Sequence, residues 1–374
     1  MRPTRLEVDL CVLADNFSAI AQAVAPARVM AVVKANAYGH GLVPVARCLQ
    51  DAGARHFGVA IVEEALLLRE AGVRGTILVL GPWPPRQAEE LVAAGISCTV
   101  YEPSMLRVLG ACARRLGRPA RVHLKFDTGM GRLGVRSASD LVALATAAVT
   151  EEGVVLEGVF THFSDAEARD DDFTRGQIAK YAEGLDALRA AGIAPGLRHA
   201  CNSAGILRHP EAHFDLVRPG LLLYGYHPSE FTPPTISVRP ALRWRAEIGM
   251  LKELPPGEPV GYGRTYYTSR PTRVATVGVG YADGYRRALS NRGQCLVGGR
   301  RCRVIGRVCM DQIMVDVTGV EGVKVGDEVV LLGRQGDEEV TAPQLAALCD
   351  TAPHEILTGI GQRVPRIYRY SREL

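Results

Sequence analysis

Features that mark several protein classes are missing from this chain of 374 residues. Its nine cysteines are odd in number and include no C-x-x-C pair, which argues against a disulfide framework or a structural zinc site and favours a reducing compartment. The longest apolar run, LVALATAAV at 141–149, is much shorter than a membrane-spanning helix. The N-terminal segment MRPTRLEVDL is too charged for a signal peptide. We therefore expect a cytoplasmic protein with no membrane segment and no metal site.

The chain also lacks a strong excess of either charge, since it has 44 basic and 40 acidic residues and a formal net charge of +4. So mild an excess does not by itself imply a nucleic-acid partner. One segment is more basic: from Arg264 to Arg307 there are ten arginines and a single acidic residue, Asp283. Glycines and strand-like runs interrupt this segment, so it lacks the helix or stacking platform that binds nucleic acid. We interpret it as a surface with a basic corridor that attracts an amino-acid carboxylate.

The first half of the chain alternates strand-like and helix-like segments, from Cys11 to Tyr224. Its strand candidates are RVMAVV, HFGVA, TILVL, SCTVY, RVHLKF, LEGVFTHF, LRHA and DLVRPG. Alanine- and leucine-rich patterns lie between them and run into glycine, a common helix stop. Strands separated by helices pair in parallel with right-handed crossovers. Eight such units in roughly 215 residues predict an α/β fold with a closed (β/α)8 barrel of the TIM type.

The alternative to a barrel is a doubly wound open sheet. Such a sheet usually carries a glycine-rich phosphate loop after its first strand, whereas this chain has VVKANAYGHG there. The barrel is therefore favoured.

The alternation of strand-like and helix-like segments ends near FTPPTISVRP, where prolines interrupt any continuing helix. The segments that follow are strand-like and bounded by turns, with one helical segment, APQLAALC. We predict a barrel domain at 11–232 and a mostly β C-terminal domain at 233–374. No internal repeat or low-complexity tail is present.

Polar residues come directly after the predicted barrel strands. They therefore lie at the carboxyl ends of the strands, where the active sites of such barrels are found. They are Lys34 after the first strand, Lys125 and Asp127 with Arg132 after the fifth, His162 after the sixth, His199 with Asn202 and Ser203 after the seventh, and Arg218 after the eighth. Burial at a strand end lowers the basicity of a lysine, as a Schiff-base lysine requires. Alternatively, Lys34 could extend from the end of its strand into solvent. The motif around Lys34 alone does not favour either interpretation.

Several of these residues have an ordinary structural alternative. His162 and His199 could be satisfied core or rim histidines, and Arg132 could be a solvated surface arginine. Ser203 could cap a helix as well as bind a phosphate. A tyrosine in a β segment, such as Tyr262, is by base rate a packing residue.

Eight motifs, in order along both halves, resemble those of alanine racemase. They are KANAYGHG, KFDTGMGRLG, THFSDA, HACNSAGIL, VRPGLLLYG, VGYGRTY, GYADGYRR and GRVCMDQIMVDVT. The resemblance implies an enzyme that uses pyridoxal 5'-phosphate (PLP) to interconvert L-alanine and D-alanine, and so supplies D-alanine for peptidoglycan. It also implies a homodimer with an active site shared between subunits, and residues 1–10 that pack on the C-terminal domain.

The resemblance assigns two catalytic bases, because inverting a centre takes a proton from one face and returns one on the other. Lys34 would hold the cofactor covalently and act on one face, and Tyr262 of the partner subunit would act on the other. Tyr38 and Ser203 would bind the cofactor phosphate, with N–H groups near Gly220 and Leu221.

The remaining assignments also rest on the resemblance. Arg218 would face the pyridine nitrogen, which must then stay unprotonated because a guanidinium only donates hydrogen bonds. This weakens the cofactor as an electron sink and should restrain side reactions. His199, contacted by Arg218, would be the neighbour that favours the phenolate of Tyr262. Arg132 and Met310 would contact the substrate, and Lys125, with or without carbamylation, would position Arg132. His162 would pack beside the pyridine ring of the cofactor. The remaining residues implied are Arg287, Arg307 and Tyr281 at the entrance to the active site, and Asp311 in a supporting role.

The chain departs from the family at Gln362, where many relatives have a tyrosine before RVPR that helps to contact the phosphate. Gln362 would still bind the cofactor, since its amide can donate to the phosphate, but it is shorter and not aromatic. This leaves open a racemase that also accepts serine. Two further alternatives are a barrel-type PLP decarboxylase, which would not be expected to have VGYGRTY or GYADG, and a PLP carrier built from the barrel alone, against which the whole β half argues.

Overall fold

The computed structural model describes residues 3–370. Met1 and Arg2, which belong to the segment 1–10 discussed above, and residues 371–374 lie outside the described residues. The chain forms two compact units. The barrel unit comprises residues 13–37 and 42–239, and the β unit comprises the described residues up to 12, residues 38–41 and those from 240 onward. Within residues 3–370, no helix combines the length and apolar character needed to cross a membrane.

The chain begins with strand β1 (Arg5–Asp9) and helix α1 (Leu10–Val24). The strands of the barrel unit are β2 (Arg28–Val32), β3 (His56–Val59), β4 (Thr76–Val79), β5 (Ser97–Val100), β6 (Ala120–Lys125), β7 (Val154–Phe160), β8 (Leu197–His199) and β9 (Leu216–Val217). Its further helical segments are α2 (Lys34–Tyr38), α3 (Leu42–Asp51), α4 (Val62–Glu70), α5 (Ala88–Ala93), α6 (Pro103–Leu116), α7 (Ala138–Thr150), α8 (Asp172–Ala190) and α9 (Ser203–Arg208).

The eight barrel strands pair in parallel in the order β8-β7-β6-β5-β4-β3-β2-β9. Backbone hydrogen bonds join the two end strands, from Asp215 N to Arg198 O and from Arg218 N to Cys201 O, each 3.0 Å long. The sheet therefore closes on itself. The predicted (β/α)8 barrel is confirmed, and each of the eight strand candidates overlaps one of its strands.

Local sequence explains why these elements form. The strands β2 to β5 are runs of buried residues, as expected where helices cover a parallel sheet. Helix α6 begins with a proline in its first turn, where the missing N–H costs nothing. It ends at Gly117, whose φ of 62° is the left-handed conformation that glycine adopts without a Cβ penalty.

The β unit contains β1 together with β10 (Leu242–Leu254), β11 (Pro259–Val260), β12 (Tyr266–Tyr267), β13 (Thr272–Val277), β14 (Gln294–Val297), β15 (Arg300–Val304), β16 (Ile313–Asp316), β17 (Glu328–Gln335), β18 (Glu338–Val340) and β19 (Arg366–Arg369). Strands β10, β13, β16, β15, β14 and β17 pair antiparallel in a closed ring, since β17 also pairs with β10. Strand β1 pairs antiparallel with β10 and parallel with β19. The predicted, mostly β C-terminal fold is confirmed.

The β unit has two α-helices among its described residues, α10 (Ala342–Leu348) and α11 (Pro353–Thr358). The prediction of a single helical segment was wrong. Helix α11 is only six residues long and begins with proline, so it is too short for an apolar period to be visible in the sequence.

The segment 38–41 belongs to the β unit although the chain on both sides of it belongs to the barrel unit. Close packing holds this segment there. A Cβ atom on Gly39 would lie 2.4 Å from the carbonyl oxygen of Leu357, and the φ of Gly39 is +84°. Arg366 Nε donates to the carbonyl oxygen of Gly39 over 3.1 Å. Gly39, the first glycine of YGHG, is therefore required both by the lack of space for a side chain and by its backbone conformation.

Candidate active site

Lys34 lies two residues after the end of β2 and starts an unusual turn. Ala35, Asn36 and Ala37 have φ between 51° and 55°, in the left-handed region that residues with a side chain rarely adopt. The side chain of Asn36 accepts a hydrogen bond from Leu42 N (2.8 Å), which stabilises the turn. Backbone strain of this kind is concentrated at functional sites, so the turn marks the segment after Lys34 as a candidate site.

The environment of Lys34 disfavours its charged form. The side chain is half-buried, and burial lowers its amine pKa, with further lowering from the positive charges of Arg132 and Arg218. Glu64 acts in the opposite direction. An amine that is more readily neutral can form a covalent imine or accept a proton.

Lys125 ends β6 inside the same cationic group. It is 4% exposed, and burial together with Arg218 and Arg132 lowers its pKa well below the ordinary value, against the effect of Asp127. The Nζ atom lies 4.3 Å from the centre of the Phe160 ring. Four basic side chains, those of Lys34, Lys125, Arg132 and Arg218, thus act on one another at the carboxyl end of the barrel strands.

Asp127 fixes the loop that carries Arg132. One of its carboxylate oxygens accepts N–H groups from Gly129 (3.0 Å), Met130 (2.8 Å) and Gly131 (3.1 Å). Burial alone would raise the pKa of this carboxyl, but these backbone donors outweigh burial and lower it. An ionised Asp127 therefore holds the start of the loop in one conformation.

Arg218 is the most connected side chain of the site and is 3% exposed. Its Nη1 donates to His199 Nδ1 (2.9 Å), and its Nη2 donates to the carbonyl oxygens of Thr161 (2.7 Å) and Ala200 (2.8 Å) and lies 3.1 Å from His162 Nδ1. Burial lowers its pKa to about 10, which leaves the group charged at neutral pH. Its Nε–H and the second N–H of Nη1 have no acceptor among the described residues, so this buried cation retains donors for an incoming acceptor.

Both ring nitrogens of His199 are occupied within the barrel unit, Nδ1 by Arg218 and Nε2 by His123 Nδ1 (2.9 Å). This arrangement argues against the prediction that His199 is the direct neighbour of a phenolate. His162 contacts Arg218 through Nδ1, and residues 3–370 provide no partner for its Nε2. Burial and then Arg218 lower the pKa of both histidines well below the ordinary value, so both are neutral at pH 7.

Sequence reasoning missed His123 and Glu157, which continue this hydrogen-bonded group. His123 Nε2 lies 3.2 Å from Glu157 Oε2, and Ser97 Oγ donates to the same oxygen. The available signal was a histidine within the apolar strand RVHLKF, but nothing local connects it with a glutamate 34 residues later.

Ser203 begins helix α9 and connects it with the segment after β9. Its Oγ accepts hydrogen bonds from Gly220 N (3.0 Å) and Leu222 N (3.2 Å). The N-cap of α9 is Asn202, whose side chain accepts Gly205 N over 2.9 Å. The alternative of Ser203 as the cap was therefore wrong. Its hydroxyl hydrogen remains able to donate to a further acceptor such as a phosphate oxygen.

The β unit contains the other predicted site residues, and three of them are strongly exposed: Tyr262 (71%), Met310 (53%) and Tyr281 (43%). Tyr262 begins a tight turn, Tyr262–Arg264, and borders a cavity of about 480 Å³ that Cys309 and Met314 also line. Backbone hydrogen bonds from Tyr281 N to Cys309 O (3.0 Å) and from Ala282 N to Met310 O (3.0 Å) connect the two neighbouring loops.

Asp311, predicted to act in support, pairs with Arg363 in the β unit. Arg363 reaches Asp311 Oδ1 (2.5 Å) and the fully buried Asp283 (2.9 Å). Gln362 lies next to this arginine in an exposed turn. Arg287 begins a short helical turn, Arg287–Leu289, and the Arg307 guanidinium lies where a Cβ on Gly263 would approach it at 3.1 Å.

Tyr38 belongs to the segment 38–41 of the β unit, where its ring lies 5.7 Å from that of His354. Burial raises the pKa of its hydroxyl. The structure thus brings together in the barrel unit Lys34, Lys125, Arg132, His162, His199, Ser203, Arg218, Gly220 and Leu221. It places in the β unit Tyr38, Tyr262, Tyr281, Met310, Asp311 and Gln362.

Comparisons with known proteins agree with this arrangement. The alanine racemase N-terminal domain model matches residues 8–228, and the C-terminal domain model matches residues 241–368. An alanine racemase of Symbiobacterium thermophilum is 48% identical over 368 residues, covering 98% of this chain and 97% of that protein.

Two solved structures are similar over the full length of the chain. Alanine racemase from Bacillus anthracis with bound L-Ala-P has a TM-score of 0.93 and 36% identity, covering 100% of this chain and 96% of that one. Alanine racemase from Bartonella henselae with covalently bound pyridoxal phosphate has a TM-score of 0.89 and 30% identity, covering 99% and 100%. The family predicted from the eight motifs is confirmed: this chain belongs to the alanine racemase family of PLP-dependent isomerases.

Proposed function

We propose that this protein interconverts L-alanine and D-alanine, with Lys34 as one base and Tyr262 of the partner subunit as the other. The observation that carries the proposal is the position of Lys34 at a barrel strand end, with a pKa lowered first by burial and then by Arg132 and Arg218. Because a lowered pKa makes the neutral form of the amine more accessible, Lys34 can form a covalent imine with an aldehyde cofactor or accept a proton.

The residues of the barrel unit fit PLP. Its phosphate and phenolic oxygen are anionic, and Lys34, Lys125, Arg132 and Arg218 present an excess of positive charge over Asp127 and Glu64. Ser203 keeps a hydroxyl donor for the phosphate while its oxygen accepts the N–H groups of Gly220 and Leu222, and the N–H of Leu221 lies between these two in the chain. When bound, PLP withdraws electrons from the α-carbon of an amino acid and so makes its α-proton removable.

Arg218 supports racemisation over other reactions of an amino acid. We place its uncommitted N–H groups toward the pyridine nitrogen. A guanidinium with a pKa of about 10 remains a donor at neutral pH, so a nitrogen facing it stays unprotonated. This limits electron withdrawal and restrains transamination and decarboxylation.

Arg132 would bind the substrate carboxylate. Its loop is fixed by Asp127, and its side chain is exposed, so it can form a bidentate pair with a carboxylate. Lys125, whose amine pKa is lowered well below its ordinary value first by burial and then by Arg218 and Arg132, would position Arg132.

The second base requires a homodimer. Inversion needs a proton carrier on each face. Tyr262 is 71% exposed and lines a cavity with Cys309, which precedes the exposed Met310 and accepts a hydrogen bond from the N–H of the exposed Tyr281. A group of exposed aromatic and methionine side chains is typical of an interface. We assign His162 as the neighbour of the phenol because Nε2 of His162 is uncommitted whereas both nitrogens of His199 are bonded.

A racemase with additional activity on serine is a second candidate. Gln362 is exposed in the turn before RVPR, and it is shorter than the tyrosine of many relatives. A shorter side chain would relax the limit on substrate size. In either case we propose that the product supplies D-alanine for cell-wall precursors.

Incubation of the purified, PLP-loaded protein with L-alanine tests the proposal. We expect D-alanine to accumulate until the two enantiomers are equal, and L-serine to react more slowly. Carbon dioxide with an amine product would instead indicate a decarboxylase, and bound PLP without any turnover would indicate a carrier.

A further inference from the structure

A continuous chain of hydrogen bonds crosses the interior of the barrel unit from Arg218 to Glu157. Arg218 Nη1 lies 2.9 Å from His199 Nδ1, and His199 Nε2 lies 2.9 Å from His123 Nδ1. His123 Nε2 lies 3.2 Å from Glu157 Oε2. Both imidazoles are fully buried. We call these four residues the relay.

Arg218 determines the direction of every hydrogen bond in the relay. A guanidinium only donates, so Nδ1 of His199 must be the bare, accepting nitrogen. A neutral His199 then carries its proton on Nε2 and donates to Nδ1 of His123. By the same reasoning His123 carries its proton on Nε2 and donates to the carboxylate. Two imidazoles are thereby confined to one tautomer each.

Glu157 is positioned to accept a hydrogen bond from His123, at the end of the relay opposite Arg218. The strand pairing shifts by one residue between Val122 and His123, so that Val122 pairs with Leu156 and His123 with Gly158, leaving Glu157 as the extra residue of a β-bulge. Bulges of this kind redirect a side chain. Burial raises the pKa of Glu157, but hydrogen bonds from His123 and Ser97 outweigh it, and the pKa lies below its ordinary value.

The surroundings keep the two imidazoles in place. The His199 ring stacks on Phe160 (centroids 4.8 Å apart, planes parallel) and meets His123 edge to face at 5.1 Å. A Cβ on Gly158 would lie 2.4 Å from His123 Nδ1. The absence of a side chain at Gly158 therefore makes room for the ring.

The relay also connects the positive charge of Arg218 with a negative charge, the carboxylate of Glu157, that does not contact it directly. Within residues 3–370 no carboxylate forms an ion pair with this guanidinium, although an unpaired buried charge is costly. The other groups acting on Arg218 or on His199 include cations such as Arg132 and Lys125, and the acids Cys201 and Tyr181, whose pKa is raised by burial so that they carry no negative charge at neutral pH. The dipoles of both imidazoles, aligned by Glu157, present their negative ends toward Arg218.

We propose that Glu157 and His123 are positioning residues for the reaction: through His199 they hold Arg218 as a fixed hydrogen-bond donor to the cofactor. The proposal rests on the proposed function for the role of Arg218, but the proton arrangement of the relay does not. Neither Glu157 nor His123 touches the substrate or the cofactor in this scheme.

Nitrogen-15 NMR of the PLP-loaded protein, labelled at its nine histidines, tests the relay without turnover. Signals of His123 and His199 are identified by their loss in His123→Gln and His199→Gln. We expect both residues to show a protonated Nε2 and a bare Nδ1. A proton on Nδ1 of either ring, or on both nitrogens, would overturn the proposal. The expected tautomers in a protein that does not racemise alanine would support the relay while refuting the proposed function.

Glu157→Gln tests the contribution of the carboxylate. The amide oxygen still accepts from His123, so the fold and tautomers should persist while the negative charge is lost. We expect kcat to fall about tenfold with KM changed less than about twofold. The matched control is Arg121→Gln, which removes the exposed arginine 3.5 Å from the other oxygen of Glu157 and should leave kcat and the tautomers unchanged. Wild-type kcat in Glu157→Gln would contradict the proposal.

Discussion

Both carboxylate oxygens of Asp127 accept the backbone N–H of Gly131, at 3.1 Å and 3.0 Å. This contact fixes the backbone immediately before Arg132. In a chain whose proposed substrate is a small amino acid, the carboxylate-binding arginine must be held by its loop, since alanine itself provides few contacts. The loop anchor is therefore a determinant of substrate binding.

Asp127→Asn should weaken both the loop and substrate binding. The amide retains one accepting oxygen but loses the charge that strengthens three backbone hydrogen bonds, at a cost of about 2 kcal/mol in the free energy of unfolding. KM for alanine should rise more than kcat falls. Urea unfolding and steady-state kinetics measure the two effects, and Asp140→Asn, at an exposed helix start, serves as the control.

The effect of Asp127 on stability should depend on pH. Its folded-state pKa is lowered from 3.8, so its contribution is fully present above the unfolded pKa and is lost as pH falls through the folded value. The stability difference between wild type and Asp127→Asn should be constant above about pH 5, shrink as the pH falls below about 4 and vanish only once the pH lies below the folded pKa. A difference that grows on acidification would show that the carboxylate is not stabilised by folding.

Lys34→Ala should abolish the visible absorbance of covalently held PLP and nearly all racemisation, because the proposal assigns the covalent bond to the amine of Lys34. Absorption spectroscopy after removal of free PLP measures this. Lys324→Ala, on an exposed loop of the β unit, should keep both. Retained colour at the same wavelength in Lys34→Ala would refute the assignment.

Tyr262→Phe should impair α-proton exchange with one enantiomer far more than with the other, since only one face loses its proton carrier. Exchange in deuterated water, followed separately from L-alanine and D-alanine, measures this asymmetry. Tyr267→Phe removes the hydroxyl of another exposed tyrosine and should have no effect. Equal exchange rates for both enantiomers in Tyr262→Phe would exclude it as a base.

Activity should fall in parallel with dissociation of the homodimer, because the proposed second base comes from the partner subunit. Serial dilution with activity and sedimentation measured on the same samples tests this. Introducing charge at the exposed Met310, as Met310→Glu, should move the loss of activity to higher protein concentration. A fully active monomer would rule out a shared site.

Gly158→Ala should destabilise the barrel unit by about 1–3 kcal/mol, because the added Cβ would overlap His123 and the backbone oxygen of Leu197, 2.6 Å away. Gly176→Ala is the matched control in helix α8, where a Cβ meets no atom within 4 Å. It should be neutral or stabilising by up to about 1 kcal/mol. Denaturant unfolding of both variants gives the comparison.

Much of the barrel and of its active rim could be predicted from the sequence. Buried strands and amphipathic helices have local periods, and the ends of parallel strands meet at one rim, so the convergence of Lys34, Lys125 and Arg218 follows from chain order alone. The motifs then supplied the family. Helix α11 was missed because six residues carry too little pattern.

Local sequence determined which residues begin and end the strands, and therefore which functional groups reach the rim. Only the tertiary structure decided how those groups pair. The transfer of residues 38–41 to the β unit and the two occupied nitrogens of His199 both depend on atoms far away in the chain. Glu157 meets His123 because one strand slips by a single residue against its neighbour, and such a slip changes which side chains face each other while leaving the apolar pattern of each strand intact.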